Sequence, residues 1–174
     1  MHIVEAKVAR EVLRRANTLT KQLWLDPTGD LFFAIYSGSL ALLASVDDAL
    51  RVRDGKAPEF KAAYRKWKAE LRNRKGSSDS DLYWRFIQKE RNLVLHEAQA
   101  NAGQNVAIMI TGVAAQGMVA GDKPTTATLG ESTSKYTYTM TGGHFRDRDL
   151  RRLLADASNW WDLEIEKIEK SAAV

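Results

Sequence analysis

The run Leu31–Val46, LFFAIYSGSLALLASV, is sixteen residues without a charge. A segment of that kind has to be buried in protein or placed in a membrane. As a helix it rises about 24 Å, short of a hydrocarbon core of about 30 Å. Its flanks are Asp30 and Asp47-Asp48, not Lys or Arg. The run therefore predicts a core helix over about 30–53, apolar nearly all round and the most buried element of a bundle. At the N-terminus, MHIVEAKVARE carries Glu5 and Glu11 where a secretory leader needs an apolar stretch. The expectation is a cytoplasmic protein with no membrane partner.

Other helices follow from the same 3.6-residue period. Residues about 3–24 place Val4, Val8, Val12 and Leu13 at helical spacing before Asp26-Pro27-Thr28-Gly29 breaks the pattern. A helix over about 58–73 carries Phe60, Tyr64, Trp67 and Leu71 on one stripe and Lys61, Arg65, Lys68 and Arg72 on another. Gly76-Ser77-Ser78-Asp79-Ser80 reads as a loop, and a fourth helix is expected over about 81–100. From about 104 to 142 the period becomes two. Val106, Ile108 and Ile110 alternate, as do Tyr136, Tyr138 and Met140, with Gly121-Asp122-Lys123-Pro124 as the expected turn. A last helix over about 146–170 has Leu150, Leu153, Leu154, Ala157, Trp161, Ile165 and Ile168 on its apolar side. The fold class is mainly α: one domain, 1–174, a four- to five-helix bundle with a small antiparallel β-hairpin or sheet inserted before the last helix.

Composition narrows the chemistry. Hydrophobic residues at 44% and charged residues at 28% exclude a disordered chain. With no cysteine, thiolate metal sites, disulfides and cysteine nucleophiles are all ruled out. The three histidines, His2, His96 and His144, are far apart in sequence, so no metal site is expected and no cofactor fingerprint is present. The net charge is +4, but Arg51–Lys75 alone holds ten Lys/Arg against Asp54, Glu59 and Glu70, a local +7. Such a block attracts phosphate backbones, although a solvated helix face has the same composition.

One short motif carries chemistry. The fourth helix reads Glu90-Arg91-Asn92-Leu93-Val94-Leu95-His96-Glu97. On an ideal wheel, Trp84, Ile87, Val94, Leu95 and Ala98 form an apolar stripe with Arg91 at its centre. Asn92 and His96 share a polar face with Arg85 and Lys89. A structural reading pairs Arg91 with Glu90, Glu97, Asp47 or Asp48 and leaves His96 as a dipole cap at the helix C-terminus. The alternative is a phosphate site.

Arg91-Asn92, three residues, then His96, late in a helix of an α bundle, resembles the signature of the HEPN (higher eukaryotes and prokaryotes nucleotide-binding) superfamily. The chain also resembles short bacterial proteins with a WRFI…ERN helix and a Trp160-Trp161 last helix, a likeness that brings no activity with it. The HEPN resemblance implies a homodimeric, metal-independent endoribonuclease with a shared cleft, in a toxin–antitoxin or phage-defence setting. Arg91, Asn92 and His96 would be its catalytic residues, with Arg85, Lys89, Lys61, Arg65, Lys68 and Arg72 binding RNA. Many family toxins carry a modifiable Tyr two residues after the His. This chain has Ala98 there, which argues against control at that site but leaves a binding antitoxin as a partner. The competing expectation is a non-catalytic, dimeric helical interaction protein.

Weaker candidates complete the reading. Gly142-Gly143-His144 has the makings of a phosphate nest, but a turn into the last helix needs those glycines anyway. Asp47 and Asp48 diverge by about 100° and make a poor metal or acid–base pair. Trp160-Trp161 is expected to place Trp161 in the core and Trp160 outward, against the insertion, at a dimer contact or stacked on a base.

Overall fold

The computed structural model describes residues 5–97, 99–110 and 132–173. Five α-helices and one antiparallel strand pair make up most of them: α1 Lys7–Lys21, α2 Gly29–Asp48, α3 Pro58–Asn73, α4 Lys89–His96, β1 Ala102–Ile110, β2 Ser132–Met140 and α5 Leu150–Ala172, with shorter 3-10 and π-helical segments joining them. The mainly helical fold with a two-stranded sheet before the last helix is thus the one the periodicities require. The expected turn at Gly121–Pro124 lies outside the described residues.

α2 and α5 organise the core. α5 buries Leu153, Leu154, Ala157, Trp161, Ile165 and Ile168, the side expected from its period. Asp149 caps its N-terminus, accepting hydrogen bonds from the backbone N–H groups of Arg151 (2.8 Å) and Arg152 (3.2 Å). α2 with its continuation to Lys56 is long and apolar enough to cross a membrane by length and composition. In the fold it buries Phe32, Tyr36, Leu40 and Leu43 among the other helices. It is not apolar-buried all round, however: Leu31, Phe33, Ala34 and Ser45 face outward.

The buried side of α1 also differs from the expected one. Ala9, Leu13, Ala16 and Thr20 face the core, while Val8 is exposed and Val12 only partly covered. Alanines let α1 lie close to α2, and at Gly38 a Cβ would come within 2.8 Å of Leu19 Cδ2. With no acidic residue in its first turn, α1 borrows carboxylates from elsewhere. Asp54 accepts from the N–H groups of Val8 (3.0 Å) and Ala9 (2.9 Å), and Glu169 from Ala6 (2.8 Å). Anions at this end offset the helix dipole.

The strands pair from Ala102 opposite Met140 to Ile110 opposite Ser132. β2 docks the pair on the bundle: Tyr138 and Met140 are buried, and the Tyr138 ring stacks on Phe32 at 5.0 Å. The Tyr138 hydroxyl donates to the Pro27 carbonyl at 2.8 Å. Both tryptophans of the last helix are buried, Trp160 included, so its expected outward position is corrected. The reason is a backbone partner: Trp160 Nε1–H donates to the main-chain carbonyl of Asp79 in the α3–α4 loop at 2.8 Å.

Candidate functional site

α4 is the second half of a longer helical stretch. Its first part, Leu82–Gln88, is wound as a π-helix. Wider i→i+5 turns advance each residue by less than the ideal 100°, so the faces drift away from the ideal wheel. The drift has a direct consequence for the motif. The inward side is Tyr83, Phe86, Ile87, Glu90 and Val94, and the position expected for Arg91 belongs to Glu90, which is only 1% exposed. Arg91 lies at the surface margin, and Leu95 is exposed.

Glu90 has no cation against its carboxylate among the described residues. Asn101 Nδ2 donates to one oxygen at 3.1 Å and the Tyr36 hydroxyl to the other at 3.4 Å. Burial pushes this carboxyl above its ordinary range, although the two hydrogen bonds oppose the shift. The Gly142-Gly143 turn closes over the pair. Gly143 sits at φ +73° with its missing Cβ position 3.2 Å from Glu90 Oε1, and at Gly142 a Cβ would meet Asn101 Oδ1 at 2.7 Å. These glycines serve close packing.

A stability test follows from this environment. The folded carboxyl keeps its proton to higher pH than the unfolded one. Its contribution is therefore fully present below the unfolded pKa of about 4.3 and is lost as pH rises through the raised folded value. Glu90→Gln, which cannot ionise, is expected to melt above wild type at about pH 8, with the gap closing toward about pH 4. Thermal melts across that range check it. A gap of constant size would refute the burial argument.

The motif residues are solvent-reachable. Arg91 Nη1 donates to Asn92 Oδ1 at 3.3 Å, and among the described residues Arg91 forms no ion pair with Glu90, Glu97, Asp47 or Asp48. His96 is exposed in the last turn of α4, where a cation meets the negative end of the helix. Ala98 lies outside the described residues. Lys89 is exposed beside them. Arg85 is engaged elsewhere: its Nε lies 2.8 Å from Asp81 Oδ1, and its Nη1 lies 3.0 Å from His144 Nδ1. His144 Nε2 in turn is 3.1 Å from Asp81 Oδ2. With Arg85 donating to Nδ1, His144 keeps its proton on Nε2, facing Asp81. His144 is a surface pairing residue that sequence reasoning missed, because its partners lie some sixty residues upstream.

The four expected cations of α3 do come together. Lys61, Arg65, Lys68 and Arg72 line an open cavity of about 490 Å³ with Arg51 and Asp47. Asp47 forms its floor. It accepts from Tyr64 Oη (2.9 Å), Lys68 Nζ (2.7 Å) and Tyr83 Oη (2.9 Å). Burial and the Asp47 carboxylate push both tyrosines up, so they stay protonated donors. Lys68 also donates to Tyr83 Oη at 2.6 Å and lies over the Tyr83 ring at 4.7 Å. It is a structural cation. Arg51 was legible only as the first residue of the basic block; the π turn Ala49–Arg53 carries it to the rim. Among the described residues, no three His, Asp or Glu side chains gather as metal ligands.

Comparison with protein-family models, curated proteins and solved structures finds no match for this chain.

Proposed function

We propose that this protein is a metal-independent endoribonuclease of the HEPN type, cutting RNA through Arg91, Asn92 and His96. The observation that carries the reading is the pairing state of the motif. Arg91 and His96 stand at the surface of the last two turns of α4, and among the described residues no carboxylate binds either one. That is where a phosphate-binding arginine and a proton-transferring imidazole need to be, and a purely structural pair would be capped.

The chemistry uses the chain's own groups. The RNA 2′-hydroxyl attacks the adjacent phosphorus and the P–O5′ bond breaks; His96 carries one of the two proton transfers, from the 2′-hydroxyl or to the departing 5′-oxygen, and water carries the other. Imidazole is the side chain suited to proton transfer in either direction near neutrality. Arg91 supplies a permanent charge whose fork fits two phosphorane oxygens. Asn92, hydrogen-bonded to Arg91, orients that fork. Arg91 and His96 project about 140° apart on an ideal helix, so a complete site takes Arg91 from one copy and His96 from the other. This requires the homodimer the family resemblance implies. The same resemblance leaves room for a binding antitoxin, and the cysteine-free sequence fits a reducing, cytoplasmic setting.

Product chemistry tests the reading. Labelled RNA is expected to yield 2′,3′-cyclic phosphate and 5′-hydroxyl ends, undiminished by EDTA, and a single 2′-deoxy substitution is expected to block cleavage at that position. Intact RNA after incubation of a folded dimer with a broad set of substrates would favour the non-catalytic interaction protein.

A further inference from the structure

We infer that the α3 cavity is a backbone-tracking site for single-stranded RNA: a groove that binds consecutive phosphates without reading bases. It rests on the ribonuclease reading for the identity of its polyanion, and it adds where the strand lies outside the cutting site.

Charge distribution is the first argument. The lining cations Arg51, Lys61, Arg65, Lys68 and Arg72 face a single carboxylate, Asp47. The balance is +4, equal to the net charge of the whole chain. Lys68 and Asp47 neutralise one another at 2.7 Å, one side of each buried in the floor. The remaining four cations are exposed. Lys61, Arg65 and Arg72 have no acidic partner among the described residues, and Arg51 has only an exposed pair with Asp48. Exposed pairs of that kind are worth little and yield to a phosphate.

Spacing is the second argument. Lys61, Arg65 and Arg72 rise along one face of α3 in steps of about 6 and 10.5 Å, with Lys68 between them held by Asp47 in the floor. Free cations spread along about 16 Å suit a strand with one charge per nucleotide. A compact triphosphate would instead need its cations converging on one point. The lining also lacks an exposed aromatic ring: Tyr64, the one aromatic side chain there, is buried with its hydroxyl on Asp47. Base stacking, which gives single-strand binders much of their affinity, has no platform here. What is left is phosphate contact, which positions a strand but carries no sequence information.

The test uses the full chain with His96→Ala, so that RNA survives the measurement. A labelled 12-nucleotide RNA is titrated by fluorescence anisotropy across a range of NaCl. With four contacts, the log–log slope of affinity against salt is expected near −3, from about −0.7 per phosphate on a single strand. Adding Arg51→Gln, Lys61→Gln, Arg65→Gln and Arg72→Gln together is expected to flatten that slope and weaken binding at least about tenfold at low salt. Lys61→Gln or Arg72→Gln alone, at the two ends of the row, should each reduce the slope by about 0.7, which keeps the test valid if the quadruple variant folds poorly. Oligo-U and oligo-A should bind alike. An unchanged slope in these variants would overturn the groove, as would tight binding of inorganic triphosphate with none of RNA. Failure of the ribonuclease reading looks different: the groove binds RNA with the expected slope while wild type leaves the RNA uncut.

Discussion

His96→Ala is expected to lower RNA cleavage by roughly 10²–10⁴-fold, the usual worth of a positioned proton-transfer group, without changing the fold. The side chain is exposed at the end of α4, with no hydrogen-bond partner among the described residues. Truncation therefore opens no cavity, and stability should change by about 0.5 kcal/mol or less. The variant and wild type are compared on labelled RNA with thermal melts alongside. Arg91→Ala should inactivate as well, and because Arg91 makes no ion pair among the described residues its stability effect should also be small. If Arg91 and His96 act from opposite copies, mixing the two inactive variants should restore part of the activity, since one of the two composite sites in a mixed dimer is then intact. Cleavage by His96→Ala at the wild-type rate would remove the motif from the mechanism.

Trp161→Ala should destabilise the protein by about 3–5 kcal/mol, the range for a fully buried tryptophan. Trp161 has no exposed surface and touches three other rings, with centroids 5.9 Å from Trp67, 5.7 Å from Tyr83 and 4.9 Å from Trp160. Those rings tie α3, the π turn before α4, and α5 together. The loss goes beyond area, because Trp67 Nε1 donates to Glu164, whose carboxylate is also met by Arg74 and Lys167. Loosening the cluster exposes a buried charge network to rearrangement. In a chain of this size each kcal/mol lowers the melting temperature by about 2–4 °C, so the variant should melt about 10 °C lower. Trp161→Phe is the informative partner. The indole N–H has no acceptor among the described residues, so phenylalanine loses ring area but no hydrogen bond. It should cost clearly less than alanine. Equal losses for the two variants would mean that the indole makes a bond important to the fold.

How much was legible in the sequence depends on how local each cause is. α3 runs over Pro58–Asn73, as its apolar stripe and its initial proline require. The switch from period three-and-a-half to period two marks the strands, whose alternation also foretold that Tyr138 and Met140 share the buried face. The basic row on α3 was equally legible, because cations at i, i+4, i+7 and i+11 share a face whatever else the chain does. None of these features needs a distant partner.

Tertiary structure decided the rest. An ideal wheel places Arg91 inward, but the π-helical turns of Leu82–Gln88 shift the phase and bury Glu90 instead, against Tyr36 and Asn101. Asp47, a poor half of an adjacent pair in sequence, becomes the floor of the basic cavity because Tyr64, Lys68 and Tyr83 converge on it from two other elements. Arg85 leaves the row of available cations because His144 and Asp81 hold it, and Trp160 turns inward because a loop carbonyl accepts its N–H. Periodicity ranks faces by hydrophobicity only while the winding stays regular. It carries no information about which polar atom, dozens of residues away, will arrive to satisfy a buried one. Local periodicity determined the elements and the charged stripe; the packing of those elements determined which charges stay without an acidic partner among the described residues.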